Sequence, residues 1–235
     1  MRITFIVFLV IATSYTSWTQ TRYESWTRVN FTHWTKSKFG IGLELQHRRQ
    51  SNYWTENRNI FEQSMVTFVR PWIYYKVGKG WVLVSSPLSF YAFRDILNKS
   101  GNTKDYIELR STYGVQRNFK LKNILNRNRA WTELRFTDIN GPSTIFQVRL
   151  RIQNTFLFPL KKLNVHTDLN YNLSNEFFIN KRKELIAFDH NRFFNGLQIK
   201  KQKYEINLGY QWSRHNANPS PYSRNQLFLN SSFDL

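Results

Sequence analysis

The chain has no cysteine, few glycines (9) and prolines (6), and only 15 carboxylates against 34 lysines and arginines. Without cysteine there is no disulfide framework and no lipid-modified cysteine, which fits a bacterial envelope protein better than a small secreted eukaryotic domain. The scarce glycines and prolines mark a few clear breaks, at Gly78-Lys79-Gly80, Gly141-Pro142 and Pro219-Ser220-Pro221. Beyond the first twelve residues, no stretch approaches the ~18 apolar residues that a membrane helix needs. HExxH, GxSxG, Walker-type and GxGxxG motifs are all missing, and no two histidines share a short ligand spacing. The residues therefore point to no metal, no cofactor and no catalytic group.

What is present is alternation. Phe39, Ile41, Leu43 and Leu45 interleave with Gly40, Gly42, Glu44 and Gln46, and Phe146, Val148, Leu150 and Ile152 with Gln147, Arg149, Arg151 and Gln153. Successive side chains of a strand point to opposite faces, so each such segment has one apolar and one charged face. Two geometries accommodate this: a soluble sandwich with its apolar faces packed together, or a membrane barrel with its apolar face toward lipid. Composition favours the barrel. Aromatics make up 17% of the chain, yet mean hydropathy is −0.54. Alternation averages hydropathy away, while aromatics gather in interfacial girdles.

The start of the chain agrees. Met1-Arg2 is basic, Ile3 to Ala12 is nearly all apolar, and small residues follow. This is the layout of a secretory leader over residues 1–19, cleaved after Ser17-Trp18-Thr19, with Ala12-Thr13-Ser14 as the alternative. Residues 20–235 then form one outer-membrane domain of a Gram-negative bacterium.

Strand-like segments fall near 22–34, 39–50, 61–76, 81–93, 105–118, 128–138, 145–158, 164–176, 187–200, 203–214 and 223–235. Short connections (Thr35 to Lys38, Gly78 to Gly80, Lys161-Lys162, Lys200 to Gln202) alternate with long ones (Ser51 to Asn59, Arg94 to Lys104, Glu176 to Glu184, His215 to Tyr222), and Leu121 to Arg127 is intermediate. Short periplasmic turns and longer outer loops are the wiring of an antiparallel transmembrane β-barrel. The segments number eleven, whereas single-chain bacterial barrels usually have an even count. The expectation is therefore about 12 strands, with 10 as the fallback: either one segment is really two, or a strand is missing near the N-terminus or between Ile179 and Ile186. The final segment, Gln226 to Leu235, resembles the terminal assembly signal of such barrels.

The charged face carries the candidate site. Glu108-x-Arg110 and Glu133-x-Arg135 repeat one spacing, and Arg149-x-Arg151 follows on the next segment. Glu44, Arg48, Asp168, Arg192 and Glu205 are further inward candidates. Buried charges are costly unless paired, and the planar fork of arginine can bridge carboxylates. Two readings stand: a structural ladder filling a narrow lumen, open or plugged, and a selective site for small anionic solutes. The net charge of +19 resembles a nucleic-acid footprint, but an exported chain meets lipid headgroups and lipopolysaccharide phosphates instead. The expected partners are outer-membrane lipid or lipopolysaccharide and small anions, not nucleic acid.

These residues occur in an ordered series: Glu44-x-x-x-Arg48, Arg70-Pro71 with Tyr74-Tyr75, Glu108-x-Arg110, Glu133-x-Arg135, Arg149-x-Arg151, Asn175-Glu176-x-Phe178, Asp189-His190-Asn191-Arg192, Gly209-Tyr210 and Asn225. The series resembles the domain-of-unknown-function family 2490, found largely in Bacteroidota and allied bacteria. The resemblance spans nearly the whole mature chain except Leu121 to Arg129. It implies an outer-membrane barrel of unassigned role, with no catalytic residues to carry over. An enzymatic alternative is a lipid hydrolase, with His47 near Ser51, or His215 near Ser213 and Ser220, as serine–histidine dyads.

Overall fold

The alternating segments become eleven β-strands. In chain order these are β1 (Gln20–Trp34), β2 (Phe39–Gln50), β3 (Gln63–Gly78), β4 (Trp81–Ile96), β5 (Thr103–Leu121), β6 (Ile124–Thr137), β7 (Ile145–Asn164), β8 (Thr167–Arg182), β9 (Leu185–Lys201), β10 (Tyr204–His215) and β11 (Tyr222–Asp234). The computed structural model describes residues 20–55, 57–182, 185–216 and 221–235. The expected leader, 1–19, lies outside them. No helix among the described residues is long and apolar enough to cross a membrane.

Each strand pairs antiparallel with its neighbour in sequence, and the sheet closes on itself. Closure removes both edges, so no row of backbone groups is left unpaired. The two-sheet sandwich is thereby excluded. The expectation of about twelve strands is corrected to eleven among the described residues. With an odd count the first and last strands run the same way, so β1 and β11 close the barrel as a parallel pair, from Gln20↔Tyr222 to Thr32↔Asp234. A parallel ladder satisfies the same backbone groups as an antiparallel one, at slightly lower stability per residue. An even count is therefore not needed for closure.

Three connections also differ from expectation. β8 runs on to Arg182 and β9 starts at Leu185, leaving no room for a twelfth strand after Ile179 and no long loop after Glu176. Lys161 and Lys162 lie inside β7, beside a register shift, and the turn is Val165-His166. The stretch from Leu121 to Arg127 belongs to β5 and β6, joined by a tight turn in which Lys122 takes a φ of 56°. Gly78-Lys79-Gly80 falls at the turn from β3 to β4 and Gly141-Pro142 between β6 and β7, as expected, and Pro219-Ser220 lies outside the described residues. Gly80 is required where it stands, because a Cβ there would lie 2.1 Å from the Asn118 carbonyl oxygen. Pro71 and Pro87 both sit where the β3–β4 and β4–β5 ladders lose register, where a missing N–H is tolerated.

The outer wall is apolar and the inside polar. On β2, Ile41 is 60% exposed while Glu44 and Gln46 are 5% and 3% exposed. Apolar side chains inside the barrel form small patches, such as Trp26 with Phe194 and Phe228, and Trp72 with Val84 and Trp131. The Trp26 patch depends on an unusual pair, Gly196 opposite Gly209. A Cβ on either glycine would lie 2.8 Å from the Phe194 ring.

The two ends of the barrel differ in charge. One end carries five tight turns, and eleven of the fifteen lysines lie in or beside them: Lys36 and Lys38, Lys76 and Lys79, Lys120 and Lys122, Lys161 and Lys162, and Lys200, Lys201 and Lys203. All eleven are exposed, and among the described residues none has a carboxylate within ion-pair distance. At the opposite, long-loop end two exposed cations pair, Arg94 with Asp105 at 2.7 Å and Lys104 with Asp138 at 3.0 Å, while Lys99 and Arg214 are exposed with no carboxylate within ion-pair distance among the described residues.

Candidate functional site: the arginine-rich lumen

The inward faces of β1 to β9 meet in a lattice of ion pairs at mid-height. Glu133, fully buried on β6, accepts from Arg151 at 2.7 Å and lies 3.6 Å from Arg70 and 3.8 Å from Arg110. Glu108 is bonded by Arg110 and by Arg135 at 2.7 and 2.8 Å. Arg151 continues to Glu176 at 2.7 Å, and Glu176 to Arg192 at 3.2 Å. On the other side Glu44 lies 3.9 Å from Arg70 and 3.5 Å from Arg28, and accepts from the Trp72 indole at 3.0 Å. One continuous network thus crosses the lumen. Charges so deep are tolerable because each carboxylate is bracketed by guanidinium groups.

Of the eleven residues expected from sequence, Glu44, Glu108, Arg110, Glu133, Arg135, Arg151 and Arg192 belong to this network. Arg149 is inward but joins a separate pair, with Asp189 at 2.9 Å. Glu205 sits toward the short-turn end, with Arg127 at 3.4 Å. Arg48 has no carboxylate within ion-pair distance among the described residues; its guanidinium lies 3.5 Å from the centre of the Trp26 ring. Asp168 lies at the short-turn mouth, exposed. Sequence reasoning missed Arg28, Arg70, Glu176 and Asp189. Arg70 stands between inward Phe68 and Trp72, so apolar–polar alternation mislabels its face. Asp189 is turned inward by a bulge where Phe178 pairs His190 but Ile179 pairs Phe188.

The lattice divides the lumen. A cavity of about 250 Å³ lies on its long-loop side, lined by ten arginines and three carboxylates, Glu44, Glu176 and Asp189. A second cavity, of about 170 Å³, lies toward the short turns. Arg28, Glu44, Arg129 and Trp131 line both, so these four form the partition. A third cavity, of about 500 Å³, opens at the short-turn mouth among Lys120, Lys162, Lys200 and several leucines. The long-loop mouth is partly roofed by the segment after β2. Tyr53 donates to the Ile96 carbonyl at 2.6 Å, and Arg22 is sandwiched between the Tyr53 and Tyr222 rings at 3.8 and 3.9 Å.

Asp189, His190 and His215 bring their ligand atoms within 4.8 Å of one another, a group that sequence spacing did not suggest. Their geometry is that of an aromatic stack. Phe178, His190, His215 and Tyr222 follow ring on ring at 3.8, 4.2 and 4.6 Å. The two imidazole planes differ by only 21°, so their in-plane lone pairs run side by side instead of converging on a metal. Ser213 Oγ lies 3.0 Å from His215 Nε2, but Ser213 is 1% exposed and does not line the cavity. His47 faces outward and bonds Thr67 at 2.8 Å, not Ser51. Ser220 lies outside the described residues.

The model of a family of proteins of unknown function (DUF2490) matches residues 23–224. The chain belongs to this family. Membership agrees with the order of charged motifs, from Glu44 to Arg192, that forms the lattice. Among solved structures, the β domain of the Bordetella autotransporter Brka is similar, with a TM-score of 0.50 and 13% sequence identity over 82% of each chain. At that identity the likeness concerns the fold, a closed β-barrel. No curated protein matches the chain.

Proposed function

We propose that the chain is an integral outer-membrane β-barrel, non-enzymatic, whose lumen is a cationic cup for small anionic solutes. The apolar outer wall suits lipid and the short turns suit the periplasmic side. The observation that carries the anion reading is the cavity lining, ten guanidinium groups of which Arg48 and Arg129 have no carboxylate within ion-pair distance among the described residues. Arg48, Arg192 and Arg28 surround the Trp26 ring at 3.5, 4.9 and 5.6 Å, and only the latter two have carboxylate partners. An anion entering from the long-loop side meets donors already held in place, with little reorganisation to offset. The partition favours retention over free passage.

The test is calorimetric titration of the folded chain in neutral detergent with inorganic phosphate and with a small dicarboxylate. Binding is expected and should weaken at least tenfold in Arg48→Gln. Equal, negligible heats for the native chain and the variant would sink the anion reading. For the enzymatic alternative, phospholipid and lipid A hydrolysis should stay at background in the native chain and in His215→Ala alike.

A further inference from the structure

The lysine asymmetry described for the two ends points to a second binding surface. It rests on the membrane reading above but not on the anion cup. Its shape is the informative part. Every one of the five tight turns contributes lysines, so the charge forms a full ring around the barrel and not a patch on one side. A folded partner would touch one sector. Lipid surrounds the whole circumference at that height. The ring also sits level with aromatic side chains, as a headgroup-binding ring must. The Lys76 ammonium lies 3.9 Å from the centre of the Trp34 ring, Lys201 lies 5.6 Å from that of Tyr204, and Phe39 packs on Tyr75 at 4.8 Å. Among the described residues none of these eleven lysines has a carboxylate within ion-pair distance, whereas at the long-loop end Arg94 and Lys104 do.

We infer that the short-turn rim binds anionic phospholipid headgroups, the phospholipids of the leaflet that it faces. Lysine suits this role: its flexible stem lies along the apolar wall while the ammonium reaches a phosphate. Each lysine–headgroup contact is worth about a fivefold preference near an anionic surface.

The experiment uses the full chain in nanodiscs containing equal phosphatidylglycerol and phosphatidylcholine, and reads the lipids it retains by native mass spectrometry. Severalfold enrichment of phosphatidylglycerol is expected. It should fall toward parity in a variant with Lys161, Lys162, Lys200, Lys201 and Lys203 changed to Gln, and persist in Lys99→Gln/Lys104→Gln at the other end. A Lys36→Gln/Lys38→Gln variant gives the same readout if the fivefold variant does not fold. No enrichment, or enrichment that survives the rim variants, overturns the inference. So does stronger retention of diphosphorylated lipid A, lost with the same lysines, because the rim would then face the other leaflet. A chain that does not insert into the nanodisc at all refutes the membrane reading instead.

Discussion

Glu133 has no solvent exposure and lies between three guanidinium groups, Arg70, Arg110 and Arg151. Its neutral isostere would leave those cations packed together with one fewer counter-charge. Glu133→Gln should destabilise the barrel by about 3–5 kcal/mol, as measured by urea unfolding in detergent. Asp105→Asn removes an exposed pair at the rim and should cost less than about 1 kcal/mol in the same assay. Equal costs would mean that the lattice is not holding the lumen together. Several residues at this scale were legible from two-residue spacing alone. Glu108 with Arg110 and Glu133 with Arg135 share a face because side chains alternate. Arg70 and Glu176 were not, because inward aromatics flank them: Phe68 and Trp72 beside Arg70, and Phe178 beside Glu176. Where both faces of a strand are greasy, alternation no longer says which is which.

For the strand as a unit, the apolar outer wall and the wall facing the lumen should respond oppositely to charge if the barrel spans a membrane as proposed. Ile152 stands on the outer face of β7, between Arg151 and Gln153 of the lumen. Ile152→Arg should cost about 2–4 kcal/mol and slow insertion into vesicles, as for any arginine placed near the bilayer midplane. A soluble sandwich with this face outward would tolerate the change. The closing pair makes its own prediction. Val29 and Ser231 are register partners across the β1–β11 seam. With no native cysteine to compete, Val29→Cys/Ser231→Cys should oxidise to an internal cross-link, visible as altered gel mobility without reductant. An antiparallel closure through an extra strand would separate the two positions, and no cross-link would form.

The whole barrel is narrow and filled by its own side chains. Arg28, Glu44, Arg129 and Trp131 partition the lumen between two cavities of about 250 and 170 Å³. In planar bilayers the chain should therefore give no steady conductance above background. A stable, anion-selective current would show that the partition opens and would favour passage over retention. In cell fractionation, the chain should stay with the membrane in high salt and leave it only with detergent; release by salt alone would contradict an integral barrel.

Sequence by itself determined the all-β class, the eleven segments and the inward face of most of the charges named from it, because alternation is a local property with a period of two. The tertiary structure alone decided how the sheet closes and which charges meet. Parallel closure follows from the parity of the strand count around a complete ring, which no local window contains. The pairing of Glu133 with arginines from β3, β5 and β7 depends on strand tilt and register across the lumen. That arrangement separates the paired arginines of the lattice from Arg48, which lies over the Trp26 ring with no carboxylate within ion-pair distance among the described residues.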